Sequence, residues 1–239
     1  MDDLTGGGIP EGDSVLLAGP AGSGKTLLST SFINEGVRLG EPGVIVVFEE
    51  HPDAYLERAK RLGFRLEEMV QQNKLRVIYL RPLDLSVDET IHAIRVAVEE
   101  VDAQRVVIDS LSGFELALAP TFREDFRESM YRLVGALTGV GVTVLMTVEV
   151  AESLNELRLS PDVISFLTDD IILLRYVEIE SQLKRMMTVV KMRRSGHSQD
   201  IRSYEITSSG LTVGGTLKGY QGIISGIPTQ SDMRQKAGL

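Results

Sequence analysis

Short apolar runs alternate with longer stretches of helical periodicity through the first two thirds of the chain. Ser14–Ala18, Val44–Phe48, Leu75–Leu80, Arg105–Asp109 and Val142–Thr147 are nearly continuous in their apolar character and read as strands buried on both faces. Lys25–Arg38, Pro52–Gly63, Val87–Val101 and Arg123–Leu137 read as the helices between them. In the third of these, Ile91, Ile94, Val96 and Val98 fall on or near one side, and in the second Pro52 sits in the first turn. This alternation predicts an α/β fold, a mostly parallel central sheet covered by helices. After about Ser165 the pattern changes, and Ile171–Val177, Met186–Lys191 and Ser203–Thr207 read as strands with short connections. They predict an antiparallel C-terminal extension of the same sheet. Residues 1–228 are expected to form a single domain, and residues 229–239 a polar, frayed tail.

Composition narrows the chemistry. Of 239 residues, 43% are hydrophobic and 25% charged, which excludes disordered and collagen-like classes. With no cysteine there is neither a disulfide framework nor a thiolate metal site. The three histidines, His51, His92 and His197, are far apart, which disfavours a histidine metal centre. The longest uncharged stretch, Leu133–Val148, is too short and too rich in Gly and Thr to span a bilayer, and the acidic N-terminus lacks a signal-peptide layout; a cytoplasmic protein with no membrane partner is expected. Acidic residues outnumber basic ones, 34 to 25, for a net charge of −9. That balance argues against DNA as a partner. Against this background Lys184, Arg185, Lys191, Arg193, Arg194 and Arg202 stand together, opposed by Asp200 alone.

Gly19-Pro-Ala-Gly-Ser-Gly-Lys-Thr26 matches the phosphate-binding loop G-x-x-x-x-G-K-[ST] without deviation. Gly22, Ser23 and Gly24 permit a tight turn whose N–H groups point inward, at the start of a helix. Lys25 brings charge to the β- and γ-phosphates, and the Thr26 hydroxyl suits Mg²⁺. Asp109, ending the strand Val106–Ile108, fits the second acid that orients the Mg²⁺ shell. The residue after it is Ser110, so the base is sought elsewhere. Phe48-Glu49-Glu50 leaves a strand expected beside the P-loop strand, and this pair can orient a water or, at Glu50, join the metal shell. Spacing alone does not choose between Glu49 and Glu50, although adjacent strand-end side chains point opposite ways.

A phosphate-binding loop, a Glu after the next strand and then Asp-Ser is the order of RecA-type ATPases, and more specifically the chain resembles the KaiC family. Leu4–Gly12, the loop itself, Phe48–Glu50, Ile108–Ser112, Thr168–Glu178, Lys191–His197 and Gly222–Pro228 carry the resemblance nearly from end to end. The Asp-x-Ile-Ile-Leu-Leu and Lys-Met-Arg-x-Ser-x-His runs are its most specific parts. KaiC carries two such domains, and this chain looks more like the second. The resemblance implies a RecA-like fold, ATP with Mg²⁺, and a homo-hexameric ring with nucleotide at each interface. It implies that Lys191 and Arg193 reach the neighbour's γ-phosphate, with Met192, Ser195 and His197 beside the same nucleotide. It puts Leu62 where the family has an adenine-facing tryptophan, so apolar packing replaces stacking. At the family's autophosphorylated pair this chain has Ser165 and Phe166, which removes a two-site cycle and leaves Ser165 as a single candidate acceptor; an unmodified serine is the favoured reading. Clock or signalling proteins are the implied partners.

Three functions compete at this level. The first is a timing or signalling ATPase with Ser165 as an autokinase candidate. The second is a DNA-handling recombinase-type ATPase, opposed by the loop expected after Ser110 (Leu111–Pro120), which has Glu115 and no Lys or Arg. Glu149, Glu152 and Glu156, with Arg158 alone opposing, argue the same way. The third is a scaffold whose nucleotide is structural, which Glu49 and Glu50 oppose.

Overall fold

The computed structural model describes residues 2–80, 86–118, 126–150, 167–207, 210–217, 219–223 and 229–230. Its centre is a nine-stranded sheet in the order β3-β2-β4-β5-β1-β6-β7-β8-β9. The strands are β1 (Ser14–Gly19), β2 (Gly43–Val47), β3 (Leu75–Tyr79), β4 (Arg105–Asp109), β5 (Thr143–Glu149), β6 (Asp170–Ile179), β7 (Gln182–Lys191), β8 (Arg202–Thr207) and β9 (Gly210–Thr216). Pairing is parallel from β3 through β6 and antiparallel from β6 to β9, as the change of sequence pattern predicts. The helices are α1 (Lys25–Leu39), α2 (Pro52–Arg61), α3 (Leu66–Gln71), α4 (Val87–Val101), α5 (Leu111–Ala117) and α6 (Phe126–Thr138).

Strand parity divides the core into two layers. Leu16, Ala18, Val44, Val46, Val106, Ile108, Val144 and Met146 pack under α4, α5 and α6. Their neighbours Val15, Leu17, Ile45, Val47, Val107 and Leu145 pack under α1, α2 and α3. Both sets are buried because successive side chains leave a strand on opposite faces, which is why these strands read as unbroken apolar runs.

Several expectations are corrected. β2 is not beside β1: β4 and β5 lie between them. The parallel strands nevertheless end on one edge, so their C-terminal loops converge there without β1 and β2 being neighbours. The loop expected after Ser110 is a helix over its described part. Ser110 Oγ accepts the Gly113 N–H (3.1 Å) as its cap, and Phe114 packs 5.6 Å from Phe48. Helix α3, strand β9 and the two-residue pair β10 (Tyr220–Gln221) with β11 (Thr229–Gln230) are additions, the last reaching into the expected tail. α2 stops at Arg61, with Leu62 as its C-cap and Gly63 following at φ 88°. Among the described residues no helix is long and apolar enough to cross a membrane.

Candidate nucleotide site

The sheet edge where β1, β2, β4 and β5 end holds a cleft of about 590 Å³. Ala21, Gly22, Lys25 and Thr26 enter it from the loop after β1, Glu49 and Glu50 from β2, Asp109, Ser110 and Ser112 from β4 and α5, Glu149 from β5, and Arg58 from α2. Of the residues predicted from sequence, it thus brings together Gly22, Lys25, Thr26, Glu49, Glu50 and Asp109.

Gly22 (φ 72°) and Gly24 (φ 93°) take left-handed backbone, open to glycine at little cost. Gly24 is the N-cap of α1, so the helix N-terminus, with its unpaired N–H groups, opens onto the loop. Ser23 is buried, its hydroxyl donating to Pro20 O (2.8 Å) and its carbonyl accepting from Tyr204 (2.5 Å). Lys25 Nζ donates to Gly19 O (2.9 Å) and Pro20 O (2.8 Å), folded back onto its own loop. Burial lowers its pKa, while Glu149 and Asp109 oppose the shift.

The acids are individually held. Thr147 Oγ1 donates to Asp109 Oδ1 (2.7 Å), and the Asp109–Ser110 peptide is cis. Ser110 Oγ donates to Glu49 Oε1 (3.2 Å). Glu50 pairs with Arg58 at 2.5 Å. Burial pushes Glu50 above the ordinary carboxylate range; Arg58 opposes this, and Asp109 and Glu49 add to it. Arg58 is placed by its own helix. Tyr55, one turn earlier, is buried, shares a 2.8 Å hydrogen bond with Thr30 of α1, and underlies the Arg58 guanidinium at 5.1 Å. Arg58, Thr147 and Glu149 escape sequence reading because each becomes part of the site only when α2 and β5 are packed.

The Thr26 hydroxyl and the Asp109 carboxylate form an all-oxygen set that fits Mg²⁺, which would screen phosphate charge there. Among the described residues no group of three or more His, Cys, Asp or Glu is assembled for a metal. That suits an ion that keeps waters and takes phosphate oxygens.

The basic cluster lies elsewhere. Arg193 Nη1 is 3.7 Å from Asp169, and Asp169 Oδ2 accepts from Ser14 N (3.0 Å) and Ser14 Oγ (2.8 Å), at the first residue of β1. The loop holding Lys25 begins at the last residue, Gly19, about 16 Å of strand away. Lys191 Nζ donates to Thr168 O (2.5 Å), at the same far edge. Burial pushes Asp169 upward, but the Ser14 groups, Arg194 and Arg193 outweigh it and hold it below its ordinary value. Burial and Arg193 lower Lys191, against Asp169 and Asp170. Ser195 Oγ faces Met192 Sδ at 3.6 Å on the same loop, which continues through His197. Leu62 is half-buried at the end of α2 and does not line the cleft. Ser165 and Phe166 lie outside the described residues.

Residues 1–218 match the family described as "ATPase: KaiC". The circadian clock oscillator protein KaiC of Rippkaea orientalis is 32% identical over 236 residues, covering 99% of this chain and 45% of that protein. The circadian clock protein KaiC3 of Synechocystis is 31% identical over 242 residues, covering 100% of this chain and 47% of that protein. The chain therefore spans about half the length of these relatives. A crystal structure of a KaiC-like protein from Pyrococcus horikoshii OT3 superposes with a TM-score of 0.81 at 32% identity, covering 89% of this chain and 94% of that one. A P-loop cleft on a RecA-like sheet, with these likenesses along the whole chain, makes it a member of the KaiC ATPase family, and it corresponds to one ATPase domain.

Proposed function

We propose that the chain hydrolyses ATP with Mg²⁺ in a homo-hexameric ring, each nucleotide lying between one subunit's P-loop and the next subunit's Lys191–His197 segment. The observation that carries this reading is the separation of the two half-sites. Lys25, Thr26, Asp109, Glu49 and Glu50 share one cleft, while Lys191 and Arg193 sit at the opposite sheet edge. No side chain spans that distance within a protomer, whereas a head-to-tail ring apposes opposite edges of adjacent copies.

In this reading the loop N–H groups and Lys25 hold the phosphates, and Thr26 and Asp109 hold Mg²⁺. Glu49 and Glu50 orient the attacking water, Glu49 steadied by Ser110 and Glu50 by Arg58. Lys191 and Arg193 of the adjacent copy stabilise charge on the transferring phosphoryl group. Met192, Ser195 and His197 flank the nucleotide from that side, while Leu62, which does not line the cleft, is given no part in holding the base. Residues 1–228 act as one domain. The clock proteins among its relatives support a timing or signalling role with protein partners. Ser165 is the single candidate phosphoacceptor, with an unmodified serine the favoured reading.

Native mass spectrometry with and without Mg²⁺ and ATP tests the assembly: a nucleotide-loaded hexamer is expected, and a monomer that binds ATP would overturn the interface site. Lys25→Ala is expected to abolish nucleotide binding. Glu49→Gln combined with Glu50→Gln is expected to keep binding and lose turnover by about a hundredfold or more; unchanged hydrolysis would move the base elsewhere.

A further inference from the structure

The segment before β1 holds the loop after β7 at several points. Leu4 O accepts from Ser198 N (2.9 Å). Gly6, at φ 66°, lies so close to Gly196 that a Cβ would stand 2.1 Å from the Gly196 carbonyl oxygen. Arg194 reaches across this contact, its Nη1 donating to Glu11 O (3.5 Å) and its Nε standing 2.8 Å from Asp13 Oδ1. Asp13 is wholly buried, and neither carboxylate oxygen accepts a hydrogen bond. Asp170, the first residue of β6, is buried near it. A buried carboxylate without hydrogen-bond donors is costly unless a cation compensates it. Arg194 supplies that cation from a half-exposed side chain.

We propose that the Asp13–Arg194 ion pair is a positioning lock for the basic loop, fixing the direction in which Lys191 and Arg193 leave the protomer. The inference rests on the ring reading above. Arg194 acts through its neighbours and touches no nucleotide. The segment that bears Asp13 runs directly into β1, whose far end is the P-loop, so the loop offered to the neighbour is tied to the strand that carries the chain's own site.

Mixed rings of the full chain test the lock and its premise separately. Lys25→Ala subunits lack a working cleft but carry an intact basic loop. Arg194→Ala subunits have the converse defect. Arg194→Ala alone is expected to lose about ten- to a hundredfold in hydrolysis, as displaced catalytic groups do. It should keep its affinity for a fluorescent ATP analogue. A one-to-one mixture with Lys25→Ala is expected to recover about a quarter of the wild-type rate, the share of random interfaces pairing an intact cleft with an intact loop. Asp13→Asn, which keeps the shape and removes the charge, should behave as Arg194→Ala does, and Arg194→Lys should recover most of the rate. A wild-type rate for Arg194→Ala overturns the lock. Rescue of Arg193→Ala by Lys25→Ala, without rescue of Arg194→Ala, also overturns it while leaving the ring reading intact. Rescue of neither overturns the ring reading and the lock with it. If Arg194→Ala does not assemble, Asp13→Asn and Arg194→Lys decide: a normal rate for the first, or no recovery by the second, overturns the lock.

Discussion

Asp170 shows how burial turns one side chain into a pH-dependent contribution to stability. Its surroundings raise it from 3.8 to about 6, chiefly through burial and the nearby Asp13, with the Arg193 N–H and Lys191 opposing. Because the folded value is the higher one, the folded state favours the protonated form. The stabilisation from proton uptake is fully present below about pH 4 and is lost as pH rises through about 6. At neutral pH the ionised side chain therefore costs on the order of 2–3 kcal/mol relative to its protonated form. Asp170→Asn is expected to raise the urea midpoint at pH 7 and leave it nearly unchanged at pH 4; equal midpoints at pH 7 would show the charge to be fully compensated. At this scale the residues with a local signature were legible: Lys25, Thr26, Asp109 and the Glu pair each stand at the end of a recognisable strand or loop. Arg58 and Thr147 were not, because an arginine on a helix and a threonine in a strand carry no signature until packing brings them to an acid 2.5 Å or 2.7 Å away.

At the scale of elements, boundaries follow local chemistry. α4 starts at a full capping box: Ser86 Oγ accepts from Glu89 N (3.2 Å), and the Glu89 carboxylate accepts from Ser86 N (2.9 Å). Ser86→Ala is expected to cost about 1 kcal/mol of stability, measured by urea unfolding, with no effect on nucleotide affinity, since neither Ser86 nor any residue of α4 lines the cleft. A loss well under that size would mean that Glu89 alone secures the helix start. α5 shows the opposite case. Its seven residues span too few turns to establish a helical period, and a loop was the natural reading. Packing decides it: Leu111, Phe114 and Ala117 are buried, and the Phe114 ring lies between Phe48 and Phe126. Strand β9 was hidden for a related reason, since Gly210–Thr216 alternates weakly and contains three glycines, so pairing with β8 defines it.

At the scale of the whole molecule, charge and topology act together. The net charge of −9 and the absence of Lys and Arg from the helix Leu111–Ala117 offer a polyanion no basic side chain on that helix. Single-stranded DNA is expected to leave the hydrolysis rate unchanged in an ATPase assay; a severalfold stimulation would restore the DNA-handling alternative. Local sequence carries the fold class and points to six residues that line one cleft, because buried parallel strands write themselves as apolar runs and a phosphate loop needs its glycines, lysine and threonine contiguous. Strand order was decided only by the tertiary structure, since β4 and β5 enter between β2 and β1 through crossovers that leave no mark on local periodicity. The same holds for the distance between the P-loop and the basic loop. Both are visible in sequence, and only the antiparallel return of β7 along β6 carries Lys191 and Arg193 to the edge opposite Lys25. The contact between Asp13 and Arg194, far apart in the chain, arises from that packing and from nothing in the local spacing.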